Sequence, residues 1–211
     1  MPVYRKGKKR VEAEKKIIRS ARPVGSGDTR FFTAKQEWST VNSSLKDIEK
    51  HFGFPLSKAI KSISKKRKNP VIVDWGCGKG RAISDIAKKF RNTKCYGFSD
   101  NSYFEWNKAK NVSFIHATAH DFSRYFKDGS IDLIYSRLGL DYLASSFGSR
   151  DSANDYIREM VRKLRVGGMI VCSSSVGYDL IGSHPKGIIV KEENFTINVI
   201  NDMYTIIVRT K

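Results

Sequence analysis

The sequence predicts an α/β fold, a mostly parallel sheet with helices on both faces, a C-terminal antiparallel hairpin and a basic N-terminal helical extension. Three observations carry this. Val71-Ile72-Val73 reads as a buried strand and leads through Asp74-Trp75-Gly76-Cys77-Gly78-Lys79-Gly80 into an amphipathic helix. Strand-like and helical segments then alternate up to Ser173, the pattern that builds parallel sheets. At the end of the chain, Phe195–Ile200 and Met203–Val208 flank Asn201-Asp202, a two-residue hairpin signal.

The N-terminal segments set up the extension. Residues 1–30 mix Lys/Arg clusters with Gly25-Ser26-Gly27-Asp28 and hold few large apolar residues, which predicts a flexible basic arm. Residues 31–69 predict a helical cap. Trp38, Val41, Leu45, Ile48 and Phe52 follow a helical period, with Asn42 to Ser44 as the alternative cap of a shorter helix, and Gly53-Phe54-Pro55 is a break. Leu56, Ala59, Ile60 and Ile63 mark a second helix that runs into Lys65-Lys66-Arg67-Lys68. That basic run reads either as a phosphate grip or as the solvated end of a helix.

The core domain, residues 70–211, follows in order. Ile83, Ile86, Ala87 and Phe90 share one helical face after the glycine loop. Lys94–Phe98 reads as a second strand ending in Ser99-Asp100-Asn101, residues 102–110 as a helix, and Val112–Ile115 as a third strand. Asp128-Gly129 turns into a fourth strand, Ile131–Tyr135. Asp151–Leu164 is an amphipathic helix closed by Val166-Gly167-Gly168 before the strand Met169–Ser173.

The glycine loop is the chemical signal. Glycines at 76, 78 and 80 let the backbone turn tightly and approach a ligand without a Cβ in the way. A phosphate-cradling P-loop needs four residues between its first Gly and Gly-Lys-Ser/Thr, and this loop lacks that spacing. The dinucleotide pattern is G-x-G-x-x-G, whereas here it is G-x-G-x-G with Asp74 two residues before the first Gly. An acid there suits a ligand with a cationic end better than a pyrophosphate.

The stretch 71–80 closely resembles motif I of the class I S-adenosylmethionine-dependent methyltransferases, whose ligand carries an ammonium and a sulfonium. Later landmarks extend the resemblance across residues 70–211: Asp128-Gly129-Ser130-Ile131-Asp132-Leu133-Ile134, Leu164-Arg165-Val166-Gly167-Gly168 and the final hairpin. It implies a Rossmann-like, seven-stranded sheet, S-adenosylmethionine as cofactor, and binding by Asp74, Gly76, Gly78 and Gly80. In this family an acid at the end of the second strand holds the ribose hydroxyls. The usual position is Ser99 here, so Asp100 takes the role through a small backbone shift, or Ser99 and Asn101 share it; Asp100 is the preferred reading. Asp121 matches the family acid near the adenine, with Thr118 where a first acid often stands. Ser136, Arg137 and the residues through Asp141 and Tyr142 lie beyond the fourth strand, where a methyl acceptor is expected. The run 136–142 and Ser146-Phe147-Gly148-Ser149 also bear some similarity to messenger-RNA cap guanine-N7 methyltransferases, although Asp141 replaces a histidine common there. No catalytic residue is assigned, and motifs of several other acceptor groups are missing: Asn/Asp-Pro-Pro-Tyr/Phe after strand four, a Pro-Cys nucleophile, and a Lys-Asp-Lys-Glu set.

Composition bounds the rest. The 211 residues are 40% hydrophobic, with no apolar run long enough to span a membrane and no secretory signal, so a soluble cytoplasmic or nuclear protein is expected. Cys77, Cys95 and Cys172 have no metal-ligand spacing, so no metal is expected. The net charge is +18 and lopsided. Residues 1–69 hold 19 Lys and Arg against 6 Asp and Glu, while residues 70–211 hold 20 against 15. RNA held by the basic N-terminal region is the partner this predicts, a solubilising tail or import signal being the bland reading. The functional expectation is therefore an S-adenosylmethionine-dependent methyltransferase acting on RNA. The alternatives are a small-molecule or protein methyltransferase, and an inactive nucleic-acid-binding protein on the same fold.

Overall fold

A computed structural model describes residues 42–109, 111–140, 150–173, 189–191, 193–200 and 204–211. The basic arm, Asp141, Tyr142, residues 146–149 and the Asn201-Asp202 turn lie outside the described residues.

Two helices precede the sheet. In α1, Leu45–Phe52, Ser44 accepts a hydrogen bond from the Asp47 N–H and the Asp47 carboxylate accepts one from the Ser44 N–H. This reciprocal cap is why the described helix starts at Leu45; such caps contribute about 1 kcal/mol. Gly53 ends it in the left-handed region, φ +63°. Helix α2, Leu56–Lys66, follows Pro55 directly, and its Leu56 and Ile60 are fully buried.

Eight strands form one sheet in the order β3-β2-β1-β4-β5-β8-β7-β6. Strands β1 (Val71–Trp75), β2 (Lys94–Ser99), β3 (Val112–His116), β4 (Ile131–Ser136) and β5 (Leu164–Cys172) pair in parallel. Strands β7 (Phe195–Val199) and β8 (Thr205–Arg209) form the expected antiparallel hairpin, with β8 inserted beside β5. A three-residue strand, β6 (Ile189–Lys191), lengthens that edge as an eighth. Helix α3, Arg81–Lys89, joins α1 and α2 on one face of the sheet, over Ile72, Cys95, Leu133, Tyr135 and Val171. Helix α5, Arg150–Lys163, and the single turn α4, Phe122–Tyr125, cover the other face, over Val73, Trp75, Phe98, Ile134 and Ile170. Both faces are dry, which is why β4 reads IDLIYS with every residue buried, Asp132 included, rather than alternating.

Two local expectations need correction. The helix expected over 102–110 is shorter, a 3₁₀ helix over residues 104–108, with Trp106 bonded to the glycine loop and stacked on Phe114. Val166-Gly167-Gly168 does not separate helix from strand: β5 starts at Leu164, and the run is a bulge inside it. The pairing jumps from Ile131↔Leu164 to Leu133↔Met169, with Gly167 at φ +77°. A Cβ on Gly168 would sit 2.9–3.2 Å from the carbonyl oxygens of Arg165, Ile131 and Asp132.

Candidate cofactor site

The parallel strands β1, β2, β3 and β4 end together, and their C-terminal ends bring Asp74, the glycine loop, Ser99, Asp100 and Ser136 to one rim. Asp74 stands opposite Gly97 of β2 and Tyr135 of β4. The loop that follows is held by Phe98, whose carbonyl accepts from the N–H groups of Gly76 and Cys77 at 2.8 and 3.1 Å. Gly76, Gly78 and Gly80 all have positive φ, +77°, +50° and +74°, conformations that side chains with a Cβ rarely adopt. Close packing adds a second reason. A Cβ on Gly80 or Gly97 would fall within 2.6 Å of the Phe114 ring, and one on Gly76 within 2.9 Å of Gly139 Cα. The glycines thus serve tight packing of the loop as well as room for a ligand.

Asp74 is 5% exposed, and among the described residues its hydrogen-bond partner is the Tyr135 hydroxyl, which donates to Oδ2 at 2.9 Å. Burial pushes its carboxyl up to about 7, against the smaller opposing pull of that hydrogen bond. Burial and the neighbouring Asp74 charge likewise push the Cys77 thiol up, which disfavours the thiolate form. Tyr135 was not singled out from the sequence. Its place in an all-apolar strand hid its polar end, and only the register Asp74↔Tyr135 reveals the pair.

At the end of β2, Ser99 is buried and its Oγ accepts from the Asn101 N–H at 3.2 Å. Ser99 therefore shapes the turn. Asp100 is exposed, with Oδ1 accepting from Asn101 Nδ2 and its carbonyl 3.0 Å from His116 Nε2. Of the two, Asp100 is the one whose carboxylate is open to a ligand. Asp121 is engaged locally: Oδ2 accepts from the Thr118 hydroxyl at 3.0 Å and Oδ1 pairs with Arg124 at 2.6 Å. Ser136 is 1% exposed and accepts from the Leu140 N–H at 3.0 Å, capping the turn after β4.

Arg137 departs furthest from expectation. Its Nη1 donates to Ser43 Oγ at 2.6 Å, 94 residues away in sequence, while its buried Nε has no partner among the described residues. Burial of the His51 ring and, to a smaller extent, the Arg137 charge hold it below the usual histidine value. The extension and the segment after β4 thus meet at Arg137.

A second contact set was illegible in the sequence. Trp106 stacks on Phe114 at 4.8 Å and donates from Nε1 to the Gly78 carbonyl at 2.8 Å, and Glu105 lies 3.4 Å from Lys79 Nζ. The 3₁₀ helix is thereby fastened to the glycine loop at two consecutive residues.

The donor set fits S-adenosylmethionine: a buried carboxylate with no paired cation among the described residues, beside a glycine turn, and an open carboxylate at the end of the next strand. Comparison with known proteins agrees. A family profile described as a methyltransferase domain matches residues 73–172. Among solved structures, the antibiotic-resistance methyltransferase Kmr is 13% identical, with 72% of this chain and 93% of that one covered and a TM-score of 0.50. The aminoglycoside resistance methyltransferase NpmB1 is 20% identical, with 61% of each chain covered and a TM-score of 0.40. The plantazolicin methyltransferase BpumL in complex with SAH is 19% identical, over 85% of this chain and 67% of that one, with a TM-score of 0.47. No curated protein matches the sequence. Residues 73–172 thus match a methyltransferase domain, and the mixed sheet built around them has the Rossmann-like fold.

Proposed function

We propose that the protein transfers the methyl group of S-adenosylmethionine to RNA. The observation that carries the acceptor is charge: +18 overall, with the excess gathered in the N-terminal third, on and before helices that pack against the methyltransferase core. When bound, the sulfonium supplies an activated methyl group, which an acceptor nucleophile takes as the carbon–sulfur bond breaks and its electron pair stays on sulfur. The chain's own contribution is mainly orientation. Asp74 faces the ammonium end beside Gly76, Gly78 and Gly80, Asp100 takes the ribose hydroxyls, and Asp121 borders the adenine through the lone pairs its two local partners leave free. On the acceptor side, Arg137 holds an anionic group of the RNA, and Asp141 and Tyr142, which follow it in sequence, are further acceptor-side candidates.

Calorimetric titration with S-adenosylmethionine and S-adenosylhomocysteine tests the cofactor half, with Asp100→Ala expected to weaken binding about tenfold. A tritium-methyl screen of RNA, protein and small-molecule fractions tests the acceptor half. Label in RNA supports the proposal; label confined to protein or small molecules, or binding without transfer to any fraction, overturns it.

A further inference from the structure

We infer that the folded core carries an RNA-binding track of its own, formed by α2, the last turn of α3 and the start of β2, on the side of the molecule away from the cofactor rim. The inference rests on the RNA reading above and deepens it by saying which surface holds the polyanion and how large a substrate must be.

Residues 56–69 and 88–94 contain ten Lys and Arg and no Asp or Glu, and all ten are exposed. Their positions are ordered. Lys58, Lys61 and Lys65 recur at spacings of three and four, which puts them on one stripe of α2 about 5 Å apart along the axis, close to the repeat of successive phosphates. Two contacts join this stripe to the other cations. Lys89 Nζ donates to Ser57 Oγ at 3.1 Å, bringing the end of α3 to the start of α2. The Lys94 N–H donates to the Pro70 carbonyl at 2.8 Å, bringing the start of β2 to the chain just after Lys65-Lys66-Arg67-Lys68. The surface is continuous at both ends.

Its charge is also uncompensated. Of the ten, only Arg67 pairs with an acid among the described residues, at 3.5 Å from Asp132. The opposite face differs: on α5, Arg158 pairs with Asp155, Arg162 with Asp128 and Glu159, and Lys163 with Asp128. Cations needed only for solubility can be interspersed with acids, as on α5. The chain's own N-terminal segment does not complement the track, because residues 1–41 hold 11 Lys and Arg against 4 acids. A long polyanion fits it.

The track begins where β1 and β2 begin, at Val71 and Lys94, whereas the cofactor rim lies where they end. Strands of five and six residues separate the two by roughly 15–20 Å. An RNA that presents one nucleotide at the rim and phosphates to the track must be several nucleotides long and wrap that edge.

The test compares the full-length native chain with K58Q/K61Q/K65Q, three exposed changes, by fluorescence anisotropy on a labelled 20-nucleotide RNA hairpin across a salt series. S-adenosylhomocysteine binding controls for the fold. Support is a loss of affinity of tenfold or more at 0.1 M salt, a slope of log K against log salt shallower by about two to three, and unchanged S-adenosylhomocysteine binding. RNA binding that survives the triple change with its slope intact overturns the track and leaves the RNA reading standing. A native chain that binds no RNA, or that binds anionic phosphatidylserine vesicles or an acidic peptide instead, overturns both.

Discussion

Each end of the parallel sheet holds one buried aspartate, and both are 5% exposed, yet their surroundings oppose each other. Asp132, near the start of β4, accepts from the Val71 N–H at 2.8 Å, with the Nε atoms of Arg67 and Arg165 at 3.5 and 3.6 Å. Asp74, near the end of β1, has the Tyr135 hydroxyl and no paired cation among the described residues. A buried carboxylate with charge and donors around it ties elements together; here Asp132 joins β1, β4 and the entry to β5. A buried carboxylate without them costs stability in the free protein, and the cost is recovered when a cationic ligand arrives. The two ends thus differ in pairing: two cations flank the buried carboxylate at one, and none among the described residues does at the other.

The largest effect should come from erasing the difference at the ligand end. Asp74→Asn keeps an acceptor for Tyr135 but removes the charge, and S-adenosylhomocysteine affinity at pH 8 should fall about a hundredfold by calorimetry. The same variant should melt higher than the native chain at that pH. Raising a carboxyl from 3.8 to about 7 costs the ionised folded state on the order of 4 kcal/mol, an upper bound on the gain. Affinity retained within twofold would mean that Asp74 is structural like Asp132.

Asp132→Asn should do the reverse. It strips Arg67 and Arg165 of their partner and should lower stability by about 1–3 kcal/mol in urea denaturation, leaving S-adenosylhomocysteine affinity within about twofold. A cofactor defect as large as that of Asp74→Asn would erase the distinction.

The pH dependence gives the comparison its sign. Because the folded Asp74 carboxyl is held above its usual value, its contribution to stability is complete below about pH 4 and is lost as the pH rises through 7. An ammonium ligand favours the ionised form, so affinity should move the other way, rising about tenfold between pH 6 and pH 8. In Asp74→Asn the rise should flatten.

The smallest expected effect refines how the ligand end is held. Trp106→Phe keeps a ring over Phe114 and removes the N–H donated to the Gly78 carbonyl. A loss of about 1 kcal/mol in stability and a three- to fivefold loss in S-adenosylhomocysteine affinity are expected. A fall in stability with affinity unchanged would show that the loop is set without Trp106.

Much of this was legible in the sequence because it is local. Strand, glycine loop and helix follow from β-branched runs, glycine spacing and helical period, and each depends on neighbours a few residues away. What stayed hidden were contacts between distant segments: Tyr135 with Asp74, Trp106 with Gly78, Arg137 with Ser43, and Asp132 with Arg67 and Arg165. Among the predicted site residues, Asp74, the glycines and Asp100 stand at the rim, while Ser136 and Ser99 turn out to shape turns and Asp121 is engaged by Thr118 and Arg124. A serine that caps a turn and one that binds a ligand look alike in sequence, since both need only a short hydroxyl at a strand end.

By itself the sequence determined the order of elements, the positions where the backbone must turn without a Cβ, and the excess of positive charge, since these depend on residue type and spacing. The tertiary structure alone decided which of two equally buried aspartates lacks a paired cation among the described residues, and that ten scattered cations lie on one side. Burial and pairing depend on strand register and helix packing, and those bring together residues that the chain keeps tens of positions apart.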